Sequence, residues 1–144
     1  MADSTLFIST LNEIEGLRAL WDRIPLDEFD SCYALDGGSN DGTREFFQSH
    51  GIPIIDGVKK GEIFTVGANA TTCENLVFFA PDGNEDPQDI LPLRQKLLEG
   101  YDMVIASRFL PESRNEEDEQ LLKWRKWANQ AFTLLVKLRW RGDI

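Results

Sequence analysis

Two hydrophobic rhythms alternate along the chain. Short apolar runs, the length of buried strands, are separated by stretches whose apolar residues recur every three to four positions, as on one helix face. Thr5 to Ser9 reads as a first strand. Asn12 is placed to cap a helix running to about Ile24, with Leu17, Leu20, Trp21 and Ile24 on one face and Pro25 stopping it. Cys32 to Leu35 is a second strand, and a short helix from Thr43 to Ser49 turns Phe46 and Phe47 inward. Ile52 to Ile55 is a third strand. A helix from Ile63 to about Thr72 is predicted despite Gly67, because a strand there would leave no crossover before the next one. Leu76 to Phe79 is the fourth strand. The helix that follows runs to about Glu99 on a stripe of Ile90, Leu93, Leu97 and Leu98, with Gly100 in the place of a C′ glycine. Met103 to Ala106 is predicted as a fifth strand, Pro111 to Glu119 as an acidic loop, and Gln120 to Arg139 as one long helix. Strand and helix alternating over short connections give an α/β fold, an open and mainly parallel sheet with helices on both faces.

The 144 residues suit one domain with a sizeable core, and 42% hydrophobic residues make it globular rather than disordered. No apolar run approaches the length of a membrane span. Cys32 and Cys73 have no partner spacing and fit buried thiols of a reducing compartment, so a cytoplasmic location is expected. The single histidine, His50, falls where a short helix should end and reads as structural. Charge divides the chain. Residues 1–119 carry 24 acids and 9 bases, a net of −15, whereas residues 120–144 carry 6 bases and 1 acid, a net of +5. An acidic body of this kind excludes nucleic acid as a partner.

Two acidic loops follow predicted strands and should therefore open on the same edge of the sheet, where such folds bind ligands. The first is Leu35 to Thr43 (LDGGSNDGT), with Asp36 and Asp41 and no base. It suits polar N–H and O–H groups, such as a base edge or a ribose, or a cation. It also suits a plain capping turn, with Asp41 capping the helix from Thr43. The second packs Asp82, Asn84, Glu85 and Asp86 into five residues. Hard oxygen ligands at that density suit Mg2+ or Mn2+ held together with substrate phosphates, while the simpler alternative is a solvated turn in which Asp86 caps the next helix and Pro87 opens it. At the other end, Gly142-Asp143-Ile144 closes no element, which reads as a cut chain.

In order along the chain stand FISTLNE (Phe7 to Glu13), DGGSNDGT (Asp36 to Thr43), Lys60-Gly61, VFFAPDGNEDPQDI (Val77 to Ile90) and YDMVIASRF (Tyr101 to Phe109). With these five segments the sequence resembles the family 2 glycosyltransferases, and within them the dolichol-phosphate mannose synthase-like branch. The resemblance implies a Rossmann-like nucleotide-binding fold of GT-A type and a GDP- or UDP-linked sugar donor. It implies Mg2+ or Mn2+ on the donor diphosphate, and hexosyl transfer with inversion to an acceptor such as polyprenyl phosphate. By the same resemblance Glu13, Asp36, Gly38, Asp41 and Lys60 are nucleotide-site positions, with Asp36 reaching the base and Asp41 shaping the loop. Asp82 would hold the metal, with Asn84 or Glu85 as a substitute second ligand, and Arg108 would stand near the phosphates or the acceptor. The sequence departs from the family pattern at Ala80, which takes the place of the first acid of Asp-X-Asp, and the second acid of the first loop is Gly37. Ala80 keeps a different class in view, a catalytically inactive nucleotide-binding module of the same fold.

The chemistry agrees with such a transferase. A cation stabilises the leaving diphosphate, and a phosphate acceptor is already ionised and needs no general base. A hydroxyl acceptor would need one, and Glu85 and Asp86 are the candidates. Over residues 119–141 the expected helix lines up Trp124, Trp127, Ala131, Leu134, Leu135 and Leu138 beside Lys123, Arg125, Lys126, Lys137, Arg139 and Arg141. Such a helix is either a core stripe with a solvated basic face or a peripheral contact with anionic lipid.

Overall fold

The computed structural model describes residues 3–107. The expectations for Arg108 and for the basic, Trp-rich segment 119–141 lie outside the described residues. Four strands, β1 (Ser4–Thr10), β2 (Ser31–Asp36), β3 (Ile54–Asp56) and β4 (Asn75–Phe79), form one parallel sheet in the order β3-β2-β1-β4. The helices are α1 (Ile14–Leu20), α2 (Thr43–Ser49), α3 (Ile63–Ala70) and α4 (Ile90–Leu98).

The two faces of the sheet carry two cores, as alternation along a strand requires. From β1, Leu6 and Ile8 pack with Leu17, Ile24, Phe47, Phe79 and Ile90 beneath α1, α2 and α4. Phe7 points the other way and packs with Leu35, Val58 and the α3 side, stacked on Phe78 at 5.1 Å between ring centroids. Gly67 is what lets α3 come so close. A Cβ there would lie 2.7 Å from the Phe78 ring, so the glycine that weakens the helix in isolation is required by its packing.

Most predicted elements stand within a residue or two of their expected bounds. The first helix is shorter. It ends at Leu20, and the chain tightens into 3-10 turns at Trp21–Arg23 and Leu26–Glu28 around Pro25. Leu20 and Trp21 still reach the core expected of them. Asn12 is not the cap of this helix: the N-cap position is Glu13, and Asn12 sits at φ 60°. The fifth strand is also corrected. Met103–Ala106 carry no ladder pairing, and Met103 and Ile105 are 74% and 69% exposed. An apolar run becomes a strand only where a sheet edge receives it, which composition cannot show. His50 ends α2 as expected, with Nδ1 2.8 Å from the Phe46 carbonyl and its ring stacked on Phe46. Among the described residues no helix is long and apolar enough to cross a membrane.

Candidate functional site

The strand order places β1 between β2 and β4. The chain steps outward from β1 to β3, then returns to the far side of β1 as β4. That reversal is a topological switch point, and the crevice beyond the carboxyl ends of β1 and β4 is where open parallel sheets bind ligands. A cleft of about 600 Å3 lies there, walled by the β1–α1 turn, the β2–α2 loop and the β4–α4 loop.

The first two walls are clasped together by side chains. Ser39 Oγ accepts from the Asn12 amide at 2.9 Å, Thr43 Oγ1 from the Glu13 amide at 3.0 Å, and Asp41 Oδ2 from the Ile14 amide at 3.1 Å. In return Asn12 Oδ1 accepts from the Asn40 amide at 2.9 Å. The amides that lead into α1 and its first N–H group, that of Ile14, are thus taken by the neighbouring loop. Asp41 also accepts from the Thr43 amide at 3.0 Å, so one carboxylate serves the starts of two helices. Partial desolvation pushes its carboxyl up, but hydrogen bonds from Thr43 and from the Ile14 amide outweigh this and hold it below the ordinary aspartate value.

Asp36 lies underneath. It is wholly buried, and its oxygens accept from the Gly38 and Ser39 amides at 2.9 Å each, from Ser39 Oγ at 2.5 Å and from Thr10 Oγ1 at 3.3 Å. Its carboxylate faces its own loop and is not part of the cleft wall. The geometry therefore gives it a holding role: it fixes Ser39, which in turn holds Asn12. Gly38, at φ +103°, makes the turn that an L side chain would resist.

The third wall is the tip of the β4–α4 loop. Pro81 is buried, while Asp82 and Gly83 stand exposed at the cleft mouth. Asp82 Oδ1 accepts from the Asn84 amide at 3.0 Å, and Glu85 Oε2 closes the loop by accepting from the Ala80 amide at 2.8 Å. Asp86 caps the next segment through the Gln88 amide, with Pro87 at its start, and pairs with Arg23 at 2.6 Å. Glu13 feels the result. Burial raises its carboxyl above the ordinary value, and the negative charges of Asp82 and Asp41 raise it further. Glu13, Glu15, Asp41 and Asp82 therefore line one space, and no lysine or arginine is among the described residues lining it.

Of the expected site residues, the structure brings together Glu13, Asp41 and Asp82 and puts Asp36 and Gly38 directly behind them. Lys60 stands exposed on the β3–α3 loop, and Asn84 sits beside Asp82, neither of them on the cleft wall. Among the described residues no three His, Cys, Asp or Glu side chains gather closely enough to cage a metal. The donor set fits a looser arrangement: an exposed hard oxygen at Asp82 suits a cation that takes its other ligands from phosphate and water. Asn12, Ser39, Thr43 and Gly16 were not singled out as site residues. Asn12 stands in the sequence as an expected helix cap, and Ser39 and Thr43 lie in the first acidic loop.

No family model matches the chain. The glycosyltransferase AglJ of Haloferax volcanii is 29% identical over 103 residues, covering 69% of this chain and 34% of that protein. Glucosyl-3-phosphoglycerate synthase of Mycobacterium tuberculosis superposes with a TM-score of 0.58 at 26% identity, over 69% of this chain and 42% of that one. The same synthase matches equally in complex with Mn2+ and uridine-diphosphate-glucose, covering 40% of that chain, and in complex with Mg2+ and uridine diphosphate. The chain spans about a third of the length of the curated relative and about two fifths of these structures. The homology is to glycosyltransferases, and the fold is the parallel, helix-covered sheet of the GT-A type.

Proposed function

We propose that this chain is the nucleotide-sugar-binding part of a glycosyltransferase that moves a sugar from a nucleoside diphosphate to an acceptor with the help of Mg2+ or Mn2+. The observation that carries the reading is the cleft at the switch point, where the described lining holds four carboxylates, Glu13, Glu15, Asp41 and Asp82, and no basic side chain. A diphosphate approaching four carboxylates needs compensation, and a cation bound with it supplies that. The related synthase, seen with Mn2+ and uridine-diphosphate-glucose, supports the same pairing.

Asp82 is the residue that would hold the ion, sharing it with the donor phosphates. When bound, the ion neutralises charge building on the diphosphate as its bond to the sugar breaks. Glu13 and the clasped Asn12 and Asn40 offer polar groups to the nucleoside, and Asp36 keeps that wall in place. Asp41 takes the first amide of α1, that of Ile14, and so ties this helix start to the β2–α2 loop.

For the acceptor, polyprenyl phosphate is the reading that follows from the family branch. Asp86, one of the two candidate bases, is held by Arg23 and Gln88, and Glu85 accepts from Ala80. An acceptor already ionised needs neither. It would attack the anomeric carbon opposite the departing diphosphate and invert it. A second class is favoured by Ala80, which stands where an acid would partner Asp82: a nucleotide-binding module without turnover. In that reading the nucleotide is held and no sugar moves.

Titration with UDP, GDP and their sugars, with and without Mn2+, tests the binding step. Metal-dependent affinity is expected, and equal affinity in EDTA would refute the metal role. Product analysis with polyprenyl phosphate and, separately, with phosphoglyceric acid, the molecule bound by the related synthase, tests the acceptor. Transfer to neither, with binding intact, would favour the inactive module.

A further inference from the structure

We propose that Gly16 is a positioning residue for the metal-bound nucleotide. By having no side chain it lets the first turn of α1 lie directly on the β4–α4 loop, and that contact sets where Asp82 stands relative to Glu13 and Asp41. The inference rests on the function proposed above.

A Cβ placed on Gly16 would sit 1.8 Å from the Pro81 carbonyl oxygen, 3.0 Å from its carbon and 3.9 Å from the Asp82 nitrogen. The obstacle is backbone, so no side-chain rotation relieves it, and the loop or the helix must move by more than an ångström. Gly16 does not have positive φ, so its backbone conformation is open to any residue. Glycine in a helix costs roughly 1 kcal/mol relative to alanine, and the close approach is what it supplies in return.

The loop has little freedom to yield except at its tip. Pro81 is fully buried at one end, Glu85 accepts from the Ala80 amide across the base, and Asp86 is paired with Arg23, which belongs to the turn that follows α1. The α1 segment therefore holds this loop at Gly16–Pro81 and again at Arg23–Asp86, with Asp82 and Gly83 between the two ties. A shift at the first tie passes straight to Asp82, the adjoining residue. Glu13 and Asp41 do not follow, because the Asn12–Ser39, Glu13–Thr43 and Ile14–Asp41 bonds anchor that wall to the other loop.

The test compares Gly16→Ala, Arg23→Gln and Gly67→Ala with the unaltered protein, reading UDP and GDP affinity in Mn2+ by calorimetry and melting temperature alongside. Disturbed partners of a metal ligand typically cost about tenfold to a hundredfold in affinity. A loss of that size is expected for Gly16→Ala, and a smaller loss of the same sign for Arg23→Gln. Gly67→Ala forces a milder clash, with the Phe78 ring, on the opposite face of the sheet. It is expected to lower the melting temperature and leave nucleotide affinity unchanged. A folded Gly16→Ala that binds as the unaltered protein does, or a Gly67→Ala that weakens binding equally, overturns the positioning role. If Gly16→Ala does not fold, Arg23→Gln decides: weakened binding supports the role and undiminished binding overturns it. No binding of either nucleotide by the unaltered protein instead refutes the function on which the role rests.

Discussion

Replacing Asp36 probes whether the nucleotide wall is held from beneath. The carboxylate is fully buried and accepts from two amides and two hydroxyls. In Asp36→Ala the exposed Gly38 amide can turn to water, but the Ser39 amide and hydroxyl, at 7% exposure, cannot readily do so. A buried donor left without its partner costs about 1–3 kcal/mol, and removing one side of a buried charged network about 3–5 kcal/mol. A loss of about 3–5 kcal/mol is therefore expected, a large share of the roughly 5–15 kcal/mol that stabilises a domain. At about 2–4 °C per kcal/mol for a chain near 150 residues, the melting temperature should fall by something on the order of 6–20 °C. Asp36→Asn keeps the volume and one carbonyl oxygen for the two amides, and the hydroxyls can rotate to accept from its NH2 group. It should cost about 1–2 kcal/mol. Urea unfolding followed by tryptophan fluorescence measures both. A cost below about 1 kcal/mol for Asp36→Ala, or equal costs for the two variants, would refute the holding role.

Asp41→Ala should lose roughly 1 kcal/mol for the caps it removes at two helix starts. Because the folded Asp41 carboxyl lies below its ordinary 3.8, that stabilisation is fully present above pH 3.8 and is lost as pH falls through the folded value. Comparing unfolding curves of Asp41→Ala and the unaltered protein across acidic pH checks the direction. Glu13 has the opposite sign: its folded carboxyl lies above the ordinary 4.5, so its charge weakens the fold at neutral pH and ceases to do so once it is protonated. Glu13→Gln should therefore raise the melting temperature at pH 7, with the gain gone below pH 4.5.

Much of this architecture is written in local pattern. The bounds of α2 follow from Asp41 and Gly42 before Thr43 and from the Phe46-Phe47 pair, since cap and apolar face agree there. Gly100 ends α4 at φ +98°, as a C′ glycine should. The acidic loops at Asp36 and Asp82 reach the same sheet edge because parallel strands put all their carboxyl ends together. Pattern fails where the outcome depends on a distant partner. The sequence shows a carboxylate at each strand tip, but burial separates Asp36, turned inward, from Asp82, turned outward. Asn12 looks like a cap for its own helix, yet the cap comes from Asp41, 27 residues away from Ile14. Met103 to Ala106 has strand composition but pairs with no strand among the described residues. Gly16 reads as a flaw in a helix until Pro81 is seen against it.

The central claim is that a cation and a nucleoside diphosphate meet between α1 and the β4–α4 loop. Paramagnetic Mn2+ tests it through the amide resonances of the protein titrated with UDP. The account predicts that Mn2+ and UDP together broaden Glu13 to Gly16, Asn40, Asp41, Asp82 and Gly83. It also predicts that Asp82→Ala abolishes this broadening while leaving the rest of the spectrum folded. Broadening centred instead on the second cavity, at Glu74 to Leu76 and Gly100 to Asp102, or broadening that Asp82→Ala leaves intact, would contradict it.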